Sequence, residues 1–288
     1  MKILVLTSGG DAQGMNRFLY QIYKKFGKKV YACKYGFRGL IDGNFEPLKN
    51  FEPFKNRNQA GSCIKSARCP EFATVKGFKK GLANAKEFDW VIVLGGNGSY
   101  RGACQLSDNG VKTIFVPATI DNDVDNSEYS LGFHSAVKAC CQYIKNTMPS
   151  MEAFNRCCFF EVMGRHHGAI AQSTALALES DFVICNEDDV DFGKMAKVVK
   201  ENAKREHSSM IVVRENILPL SEFVSKLKNA CPKVDIVGLR IGHFQRGFKP
   251  TKVERAMADA FAKQTIKVIR KKGLPSAVVS VNGKILAQ

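Results

Sequence analysis

Two carboxylates two residues apart, Asp121 and Asp123, follow shortly after the apolar run Thr113–Val116. The run has the length and composition of a buried strand. Negative charge grouped at the end of a strand is unfavourable unless a cation or a proton transfer uses it, and open α/β sheets bind ligands at that edge. A general base beside a ligand for magnesium and its waters suits phosphoryl transfer from a nucleotide to a hydroxyl group. A solvated acidic turn is the alternative that this pair alone leaves open.

Two glycine-rich loops also follow apolar runs. Thr7–Asp11 reads TSGGD, and Gly95–Ser99 reads GGNGS; each precedes a helix-like stretch. Glycines in such loops let backbone N–H groups approach an anion at a helix N-terminus. Their spacing matches neither of the common nucleotide-binding fingerprints, so each loop alone could be a plain tight turn. Together with the acidic pair, they predict a site for a polyphosphate and a metal ion.

The elements that must position these loops alternate along the chain. Short apolar runs are separated by amphipathic stretches, which is typical of βαβ units and of a largely parallel, helix-covered sheet. The predicted helices include Ser135–Asn146, Ala171–Leu178 and Val253–Ile269. The predicted strands are Ile3–Leu6, Trp90–Leu94, Thr113–Val116, Cys158–Val162, Phe182–Cys185, Met210–Val213 and Ala277–Val281. The predicted fold class is therefore α/β.

Composition narrows the class of protein further. The chain has 288 residues and a net charge of +16, with lysines in short clusters such as Lys24-Lys25 and Lys79-Lys80. Such clusters are typical of solvated helix faces, and no aromatic-interleaved basic stripe supports nucleic-acid binding. The ten cysteines form no Cys-x-x-Cys motif, which favours small apolar core residues over zinc ligands or disulfides. Without a membrane-spanning run or a signal peptide, we expect a cytoplasmic protein that binds neither nucleic acid nor membrane.

Seven segments, in order and at similar spacing over nearly the whole chain, resemble the phosphofructokinase family, specifically bacterial ATP-dependent 6-phosphofructokinases. They are LTSGGDAQGMN (Leu6–Asn16), SARCPEF (Ser66–Phe72), GGNGS (Gly95–Ser99), PATIDND (Pro117–Asp123), EVMGRHHG (Glu161–Gly168), Glu215 and GHFQRG (Gly242–Gly247). The resemblance implies two Rossmann-like lobes with chemistry in the cleft and a homo-oligomer, either tetramer or dimer. It implies a nucleotide-binding lobe at residues 1–132 plus 245–288 and a sugar-phosphate-binding lobe at 133–244.

The resemblance also implies ATP as the phosphoryl donor, Mg²⁺ as the metal and fructose 6-phosphate as the acceptor. Asp121 resembles the base that accepts the proton of the sugar 1-hydroxyl, with Thr119 and Arg165 as further catalytic residues and Asn97 and Asp123 at the metal positions. The implied nucleotide-binding residues are Gly10, Arg68, Cys69, Gly96, Asn97, Gly98 and Ser99. The implied substrate-binding residues are Thr119, Ile120, Asp121, Arg156, Met163, Gly164, Arg165, Glu215, His243, Phe244, Gln245 and Arg246, of which Arg156 would reach a neighbouring subunit.

Two small residues indicate which phosphoryl donor the protein uses. Pyrophosphate-dependent members of the family typically carry an aspartate at the position of Gly98 and a lysine at that of Ala118. Both residues here are small and uncharged, which favours ATP.

The chain departs from the family pattern at several positions. Asn97 replaces the usual magnesium-binding aspartate, so we expect weaker metal binding and reduced activity, and we expect Asn97→Asp to raise the rate or lower the magnesium requirement. Val237 replaces a second cross-subunit arginine, which predicts weak sugar-phosphate affinity or another phosphorylated acceptor. Tyr20 and Lys24 replace first-helix effector arginines, so we do not expect allostery. A terminal segment of the second lobe is expected to be missing after Ala277–Val281.

The leading hypothesis is therefore phosphorylation of fructose 6-phosphate by ATP, the glycolytic reaction of the family. A non-catalytic homologue that binds nucleotide or sugar phosphate is the alternative that Asn97 and Val237 favour, and the intact Asp121–Asp123 pair opposes it. A kinase for a different sugar phosphate is a further alternative. A nucleic-acid binder driven by the basic charge ranks behind all of these.

Overall fold

The computed structural model describes residues 1–271, 274 and 276–288, so residues 272, 273 and 275 of the predicted nucleotide lobe lie outside the described residues. The chain divides into two compact units, one formed by Met1–Ser135 with Arg246–Gln288 and the other by Ala136–Gln245. We call them unit 1 and unit 2. The α/β class predicted from the alternating pattern is confirmed, since every predicted strand and helix is present.

Unit 1 is built on one twisted sheet. Its strands are β1 (Ile3–Thr7), β2 (Val30–Cys33), β3 (Phe45–Pro47), β4 (Trp90–Gly95), β5 (Thr113–Thr119), β6 (Leu131–Gly132), β11 (Ser276–Val281) and β12 (Lys284–Ala287). Its helices are α1 (Met15–Phe26), α2 (Gly36–Asp42), α3 (Pro53–Asn56), α4 (Val75–Ala85), α5 (Asn97–Asp108) and α11 (Lys252–Arg270). Two helices contain the unit boundaries, α6 (Phe133–Glu152) and α10 (Phe244–Gly247).

The strand order of this sheet is β12-β11-β5-β4-β1-β2-β3, with β6 paired to β5. Strand β1 is parallel to both β2 and β4, and β5 is parallel to β4. The chain moves outward from β1 through β2 and β3, then returns to the other side of β1 at β4. The strand order therefore reverses between β1 and β4, and ligands of open α/β sheets bind at such a point, at the carboxyl ends of the strands.

Unit 2 has a smaller, fully parallel sheet in the order β10-β7-β9-β8. Its strands are β7 (Cys157–Val162), β8 (Phe182–Ile184), β9 (Ser209–Arg214) and β10 (Ile236–Arg240), and its helices are α7 (Ala169–Leu178), α8 (Phe192–Lys204) and α9 (Leu220–Ala230). Strand β7 is fully buried, as expected of a central parallel strand covered by helices. As in unit 1, the first strand of the unit is an internal one, because β7 lies between β9 and β10.

Side-chain caps explain why several helices begin where they do. Thr74 accepts a hydrogen bond from Gly77 N before α4, and Asp191 accepts one from Lys194 N before α8. Such caps satisfy backbone N–H groups that have no partner within the helix. Six of the ten cysteines are buried, and all ten are free thiols. Burial raises the pKa of the half-buried Cys63 thiol to about 11, which keeps that thiol protonated and unreactive near neutral pH.

Candidate functional site

The carboxyl edge of the unit 1 sheet brings together the three loops that the sequence singled out. Thr7 is level with Leu94, and Gly95 is level with Pro117, so the loops leave adjacent strands at the same edge. Ser8 N donates to Leu94 O at 2.9 Å, and Ser99 Oγ donates to Ser8 O at 3.3 Å. The two glycine loops are thus in direct contact through side-chain and backbone hydrogen bonds.

Close approach between these loops requires a glycine at position 95. A Cβ atom placed there would lie 2.3 Å from Ser99 Oγ and 2.6 Å from Ser8 O. Position 98 is different, since a Cβ there would meet nothing within 4 Å. Gly98 is exposed in the first turn of α5, where backbone N–H groups and the helix dipole favour an anion. The loop is therefore closely packed at Gly95, where it leaves β4, and open at Gly98.

The acidic loop after β5 is held in one shape by its own polar residues. Asp121 N donates to Thr119 Oγ1 at 3.3 Å, and Ser130 Oγ donates to Thr119 O at 2.7 Å. Asn122 adopts a left-handed backbone conformation with φ of 51°, and its side chain accepts from Ser130 N at 2.8 Å. Asp121 and Asp123 are both half-buried, and Ile120 between them and β5 is fully buried. The loop therefore holds both carboxylates at the carboxyl edge of the sheet.

Asn97 joins the start of α5 to this acidic loop. Its Nδ2 donates to Asp123 O at 2.6 Å, and its Oδ1 accepts from Asp125 N at 3.4 Å. The sequence analysis placed Asn97 at a metal position and did not predict its contact with the acidic loop. Nothing in the local sequence signals it, since 26 residues separate the two partners.

Donor atoms suited to magnesium are present in this loop. The carboxylates of Asp121 and Asp123 are hard oxygen ligands of the kind Mg²⁺ prefers, and Mg²⁺ commonly completes its shell with water and substrate phosphates. Among the described residues, no group of three or more His, Cys, Asp or Glu side chains could form a metal cage. The donor set therefore fits a magnesium ion bound jointly with a phosphate ligand.

The segment containing Arg68 and Cys69 is tied to the loop after β1. Gly9 N donates to Ala67 O at 3.1 Å, and Ser66 Oγ donates to Gly9 O at 2.8 Å. Arg68 is exposed, and Cys69 is half-buried against the core of unit 1. The predicted nucleotide-binding residues of this segment and of the two glycine loops thus belong to one connected set of loops.

Arg246 also belongs to unit 1. Its Nη1 donates to Asp11 O at 2.7 Å, and the guanidinium lies next to Gly10. The sequence placed Arg246 among the acceptor-binding residues. The fold places it beside the glycine loop that follows β1.

In unit 2, the predicted acceptor-binding residues lie around the carboxyl ends of β7 and β9. Arg165 N donates to Glu215 Oε1 at 3.1 Å, and Met163 N donates to Gln245 Oε1 at 3.1 Å. Gly164 has a φ of 140°, and a Cβ there would lie 2.4 Å from His167 O. Only glycine tolerates that conformation and approach. The hydrogen bonds bring Met163, Arg165, Glu215 and Gln245 to one end of the sheet.

Arg214 is a residue of this region that sequence reasoning missed. It is 3% exposed and donates to Cys185 O at 2.6 Å, Arg165 O at 2.5 Å and Glu215 O at 3.1 Å. A buried arginine must be hydrogen-bonded to be tolerated, and these carbonyls, with the Glu187 carboxylate at 3.2 Å, supply the partners. An arginine at the end of the apolar run Met210–Val213 was the signal that could have revealed it. Arg214 connects the loop after β7 to the end of β9.

The remaining predicted residues of unit 2 lie at its surface. His243 and Phe244 are exposed, and the Phe244 ring packs edge-on against Tyr143. Arg156 forms an ion pair with Asp235 at 2.5 Å and lies over the Phe154 ring. That phenylalanine is 64% exposed. Arg156 is therefore fixed at a surface site, before the start of β7 and away from its carboxyl end.

The chain is similar to known proteins over its full length. A sequence model of the family described as phosphofructokinase matches residues 2–269. Two curated relatives are the ATP-dependent 6-phosphofructokinases of Streptococcus pyogenes serotype M5 (strain Manfredo) and serotype M49 (strain NZ131). Each is 33% identical over 294 residues, an alignment that covers 100% of this chain and 87% of the relative.

Solved structures show the same fold. Pichia pastoris phosphofructokinase in the T-state has a TM-score of 0.89 at 24% identity, covering 100% of this chain and 34% of that longer chain. The pyrophosphate-dependent phosphofructokinase of Marinobacter aquaeolei has a TM-score of 0.84 at 17% identity, covering 100% of this chain and 81% of that one. Along the described residues, no helix has both the length and the apolar character needed to cross a membrane.

Proposed function

The chain belongs to the phosphofructokinase family, and we propose that it transfers the γ-phosphoryl group of ATP to the 1-hydroxyl of fructose 6-phosphate, a step of glycolysis. One observation carries the proposal. The acidic loop with Asp121 and Asp123 lies at the carboxyl edge of the unit 1 sheet, beside two glycine loops at the point where the strand order reverses. This arrangement suits a polyphosphate next to a general base, and the curated relatives named above carry the same activity in their names.

We propose the following roles for this chain's residues. Asp121 accepts the proton of the sugar hydroxyl while that oxygen bonds to the γ-phosphorus and the bond from phosphorus to the β,γ-bridging oxygen breaks, releasing ADP. Thr119 accepts a hydrogen bond from Asp121 N and so helps hold the base in place. Arg165 and Arg246 provide planar guanidinium groups that suit phosphate oxygens. Most of the rate enhancement then comes from positioning and electrostatic stabilisation.

The nucleotide would be bound by unit 1 through Gly10, Arg68, Cys69 and the loop Gly96–Ser99. For the acceptor, Thr119–Asp121 and Arg246 are the binding residues that we propose in unit 1, and a separate set is proposed in unit 2. That set is Arg156, Met163, Gly164, Arg165, Glu215, His243, Phe244 and Gln245. Glu215 suits sugar hydroxyls because a carboxylate accepts hydrogen bonds from them.

ATP is the proposed donor. The open space around Gly98 accommodates the inner phosphates of a nucleotide, because a Cβ at this position would have no neighbour within 4 Å. Ala118, fully buried near the end of β5, is uncharged, whereas pyrophosphate-dependent members of the family typically carry a lysine at this position. Both observations support ATP over pyrophosphate.

Magnesium is the proposed metal, held by Asp123 with the phosphate oxygens of ATP. When bound, it would neutralise charge on the phosphates. Asn97 is directed at the backbone of the acidic loop through Nδ2 and Oδ1, so we propose that it supports the loop rather than adding a charged metal ligand. We further propose a homo-oligomer, tetramer or dimer, with Arg156 at a subunit contact, and a cytoplasmic location.

The test is a coupled assay with ATP, magnesium and fructose 6-phosphate on wild type, Asp121→Asn and Asp108→Asn. Asp108 is an exposed carboxylate at the end of α5 and serves as the matched control. Removing the base is expected to lower kcat by about 10²- to 10⁴-fold, while the control retains wild-type turnover. Folded wild-type protein that binds ATP without turnover would instead favour the non-catalytic alternative.

A further inference from the structure

A pocket of about 520 Å³ in unit 2 contains a charged pair to which the family resemblance assigned no role. Seven residues line it: Glu161, Glu215, Asn216, Ile217, Leu218, Pro219 and Arg240. They come from the carboxyl ends of β7 and β10 and from the segment that follows β9. Arg240 is the only cation among these lining residues, all of which the structure describes.

The pair consists of a buried acid and an exposed base on adjacent strands. Arg240 of β10 is level with Glu161 of β7 in the parallel register, and Arg240 Nε donates to Glu161 Oε1. Arg240 Nη2 lies 3.5 Å from Glu161 Oε2. The Glu161 side chain is 7% exposed, whereas that of Arg240 is 68% exposed. A carboxylate buried in the apolar strand Cys157–Val162 is unfavourable unless it is paired, so the guanidinium stabilises it.

The same contact fixes the position of the arginine. A guanidinium has five N–H groups in one rigid plane, and the edge that carries Nε faces Glu161. Holding that edge orients the plane and leaves Nη1 on the side away from it. The hydrogen bond to Glu161 and the charges of Glu161 and Glu215 raise the pKa of Arg240. The side chain is therefore a permanently charged donor whose orientation is set before a ligand arrives.

Arg240 does not occupy the place of the arginine that the family carries at position 237. Alternate residues of a strand point to opposite faces, so Val237 and Arg240 lie on opposite faces of β10. A Cβ at Gly238 would contact Leu220 and Val224 of α9, which identifies the face shared by Gly238 and Arg240 as the one that α9 covers. Arg240 thus lines a pocket within its own unit.

We propose that Arg240 is a specificity-determining residue that binds the phosphate group of the acceptor, and that Glu161 is the residue that positions it. The pocket offers two complementary functions, since the Glu215 carboxylate accepts from hydroxyl groups and the Arg240 guanidinium donates to anionic oxygens. A phosphorylated sugar carries both kinds of group. The inference rests on the proposed function for the identity of the acceptor, while its phosphate chemistry is testable without turnover.

The decisive variants are Arg240→Met and the double variant Glu161→Gln/Arg240→Met. The single change leaves the Glu161 carboxylate buried and unpaired, so we expect a lower melting temperature as well as lost affinity. The double change removes that charge and is expected to recover the melting temperature but not the affinity. Both should raise KM for fructose 6-phosphate about 10- to 100-fold, as expected for a lost charged hydrogen bond, with kcat at saturation within about threefold.

Three further variants refine the assignment. Glu161→Gln alone keeps the guanidinium but weakens its anchor, so KM should rise less than in Arg240→Met. Arg240→Lys keeps the charge but loses the planar fork, and its KM should also be intermediate. Lys226→Met, which breaks an exposed ion pair with Glu222 on α9, is the matched control and should retain wild-type KM.

Inorganic phosphate is the probe that separates this inference from the proposed function. Calorimetric titration without ATP should show phosphate binding to wild type that weakens at least tenfold in both Arg240→Met proteins. If wild type shows no turnover but binds phosphate in this Arg240-dependent way, the proposed function fails and the inference stands. Phosphate affinity within twofold of wild type in the double variant, or no phosphate binding to wild type, overturns the inference.

Discussion

The side-chain nitrogen Nδ2 of Asn97 lies 2.6 Å from the backbone carbonyl oxygen of Asp123 and donates a hydrogen bond to it. On the same side chain, Oδ1 faces Asp125 N at 3.4 Å. The orientation of the amide follows from its partners, because reversing it would place a donor against N–H and an acceptor against C=O. An asparagine can make both contacts, whereas an aspartate can make only the second. The acidic loop is thus joined to the first residue of α5 without a cation.

Replacing Asn97 should loosen the acidic loop. We expect Asn97→Ala to lose a hydrogen bond worth about 1 kcal/mol and to increase amide hydrogen exchange of residues 121–130 about fivefold. Asn97→Asp should do the same in metal-free protein, because its carboxylate would face the Asp123 carbonyl. With ATP and magnesium added, the new carboxylate can serve as a metal ligand, so protection should return and the magnesium requirement should fall.

Asn109→Ala is the control for this experiment. Asn109 caps the other end of α5, and its side chain donates to Gln105 O within an exposed region. Its replacement should leave exchange of residues 121–130 unchanged. Unaltered exchange in both Asn97 variants would contradict the structural role assigned to that side chain.

Two glycines of one loop should differ sharply in their tolerance of a methyl group. Gly95→Ala would force a Cβ to within 2.6 Å of the Ser8 carbonyl oxygen, so we expect a loss of about 1–3 kcal/mol in stability and weaker ATP binding. Gly98→Ala has open space and should change the melting temperature by less than about 1 °C, since surface substitutions are usually near neutral. Thermal unfolding and ATP titration measure both effects. Equal losses of stability in Gly95→Ala and Gly98→Ala would show that the two glycine loops approach each other less closely than the structure indicates.

The open space at Gly98 also allows a test of the phosphoryl donor. Gly98→Asp adds a carboxylate where we propose that nucleotide phosphates bind, so repulsion should raise KM for ATP at least about tenfold, which corresponds to about 1.4 kcal/mol. KM for fructose 6-phosphate should stay near the wild-type value. Steady-state kinetics with Gly98→Ala as the reference would separate charge from size. An unchanged KM for ATP would place the nucleotide elsewhere.

A buried carboxylate in the first turn of α11, in contact with the start of α6, predicts a pH-dependent stability. Glu254 is fully buried and accepts from Gly132 N at 2.8 Å, Ser135 N at 3.0 Å and Ser135 Oγ at 3.0 Å. Burial raises the pKa of Glu254 from 4.5 to about 7, although these hydrogen bonds oppose the shift. Between those pH values the folded protein binds a proton that the unfolded chain has released, so this group's contribution to stability falls as pH rises.

The measurement compares wild type with Glu254→Gln by urea unfolding from pH 4 to pH 8. Glutamine does not titrate, so the free energy of unfolding of wild type relative to the variant should decrease by on the order of 3 kcal/mol between about pH 4.5 and 7. Above that window the difference should be constant. Glu201→Gln, which alters an exposed carboxylate of α8, should show no such trend. Parallel pH profiles for wild type and Glu254→Gln would refute the prediction.

Much of the fold follows from the sequence because apolar runs and helical periodicity are local signals. The runs at Ile3–Leu6 and Trp90–Leu94 became β1 and β4 with at most one further residue at the carboxyl end. Strands β2, β3, β6, β10 and β12 were not predicted, because all are short and four of them contain a glycine, a proline or a charged residue. Such strands form because neighbouring strands supply hydrogen-bond partners, and no local pattern records a neighbour.

The sequence by itself determined which residue types follow each strand, and so the chemistry that the carboxyl edge of the sheet can support. The tertiary structure decided which of those residues meet. It paired β1 with β4, joined Asn97 to Asp123, placed Glu254 beneath the start of α6 and set Arg240 against Glu161. The last two contacts join residues separated by 119 and 79 positions. Contacts at that separation depend on how strands are ordered and how helices pack on them, which follows from burial over the whole unit rather than from any local pattern.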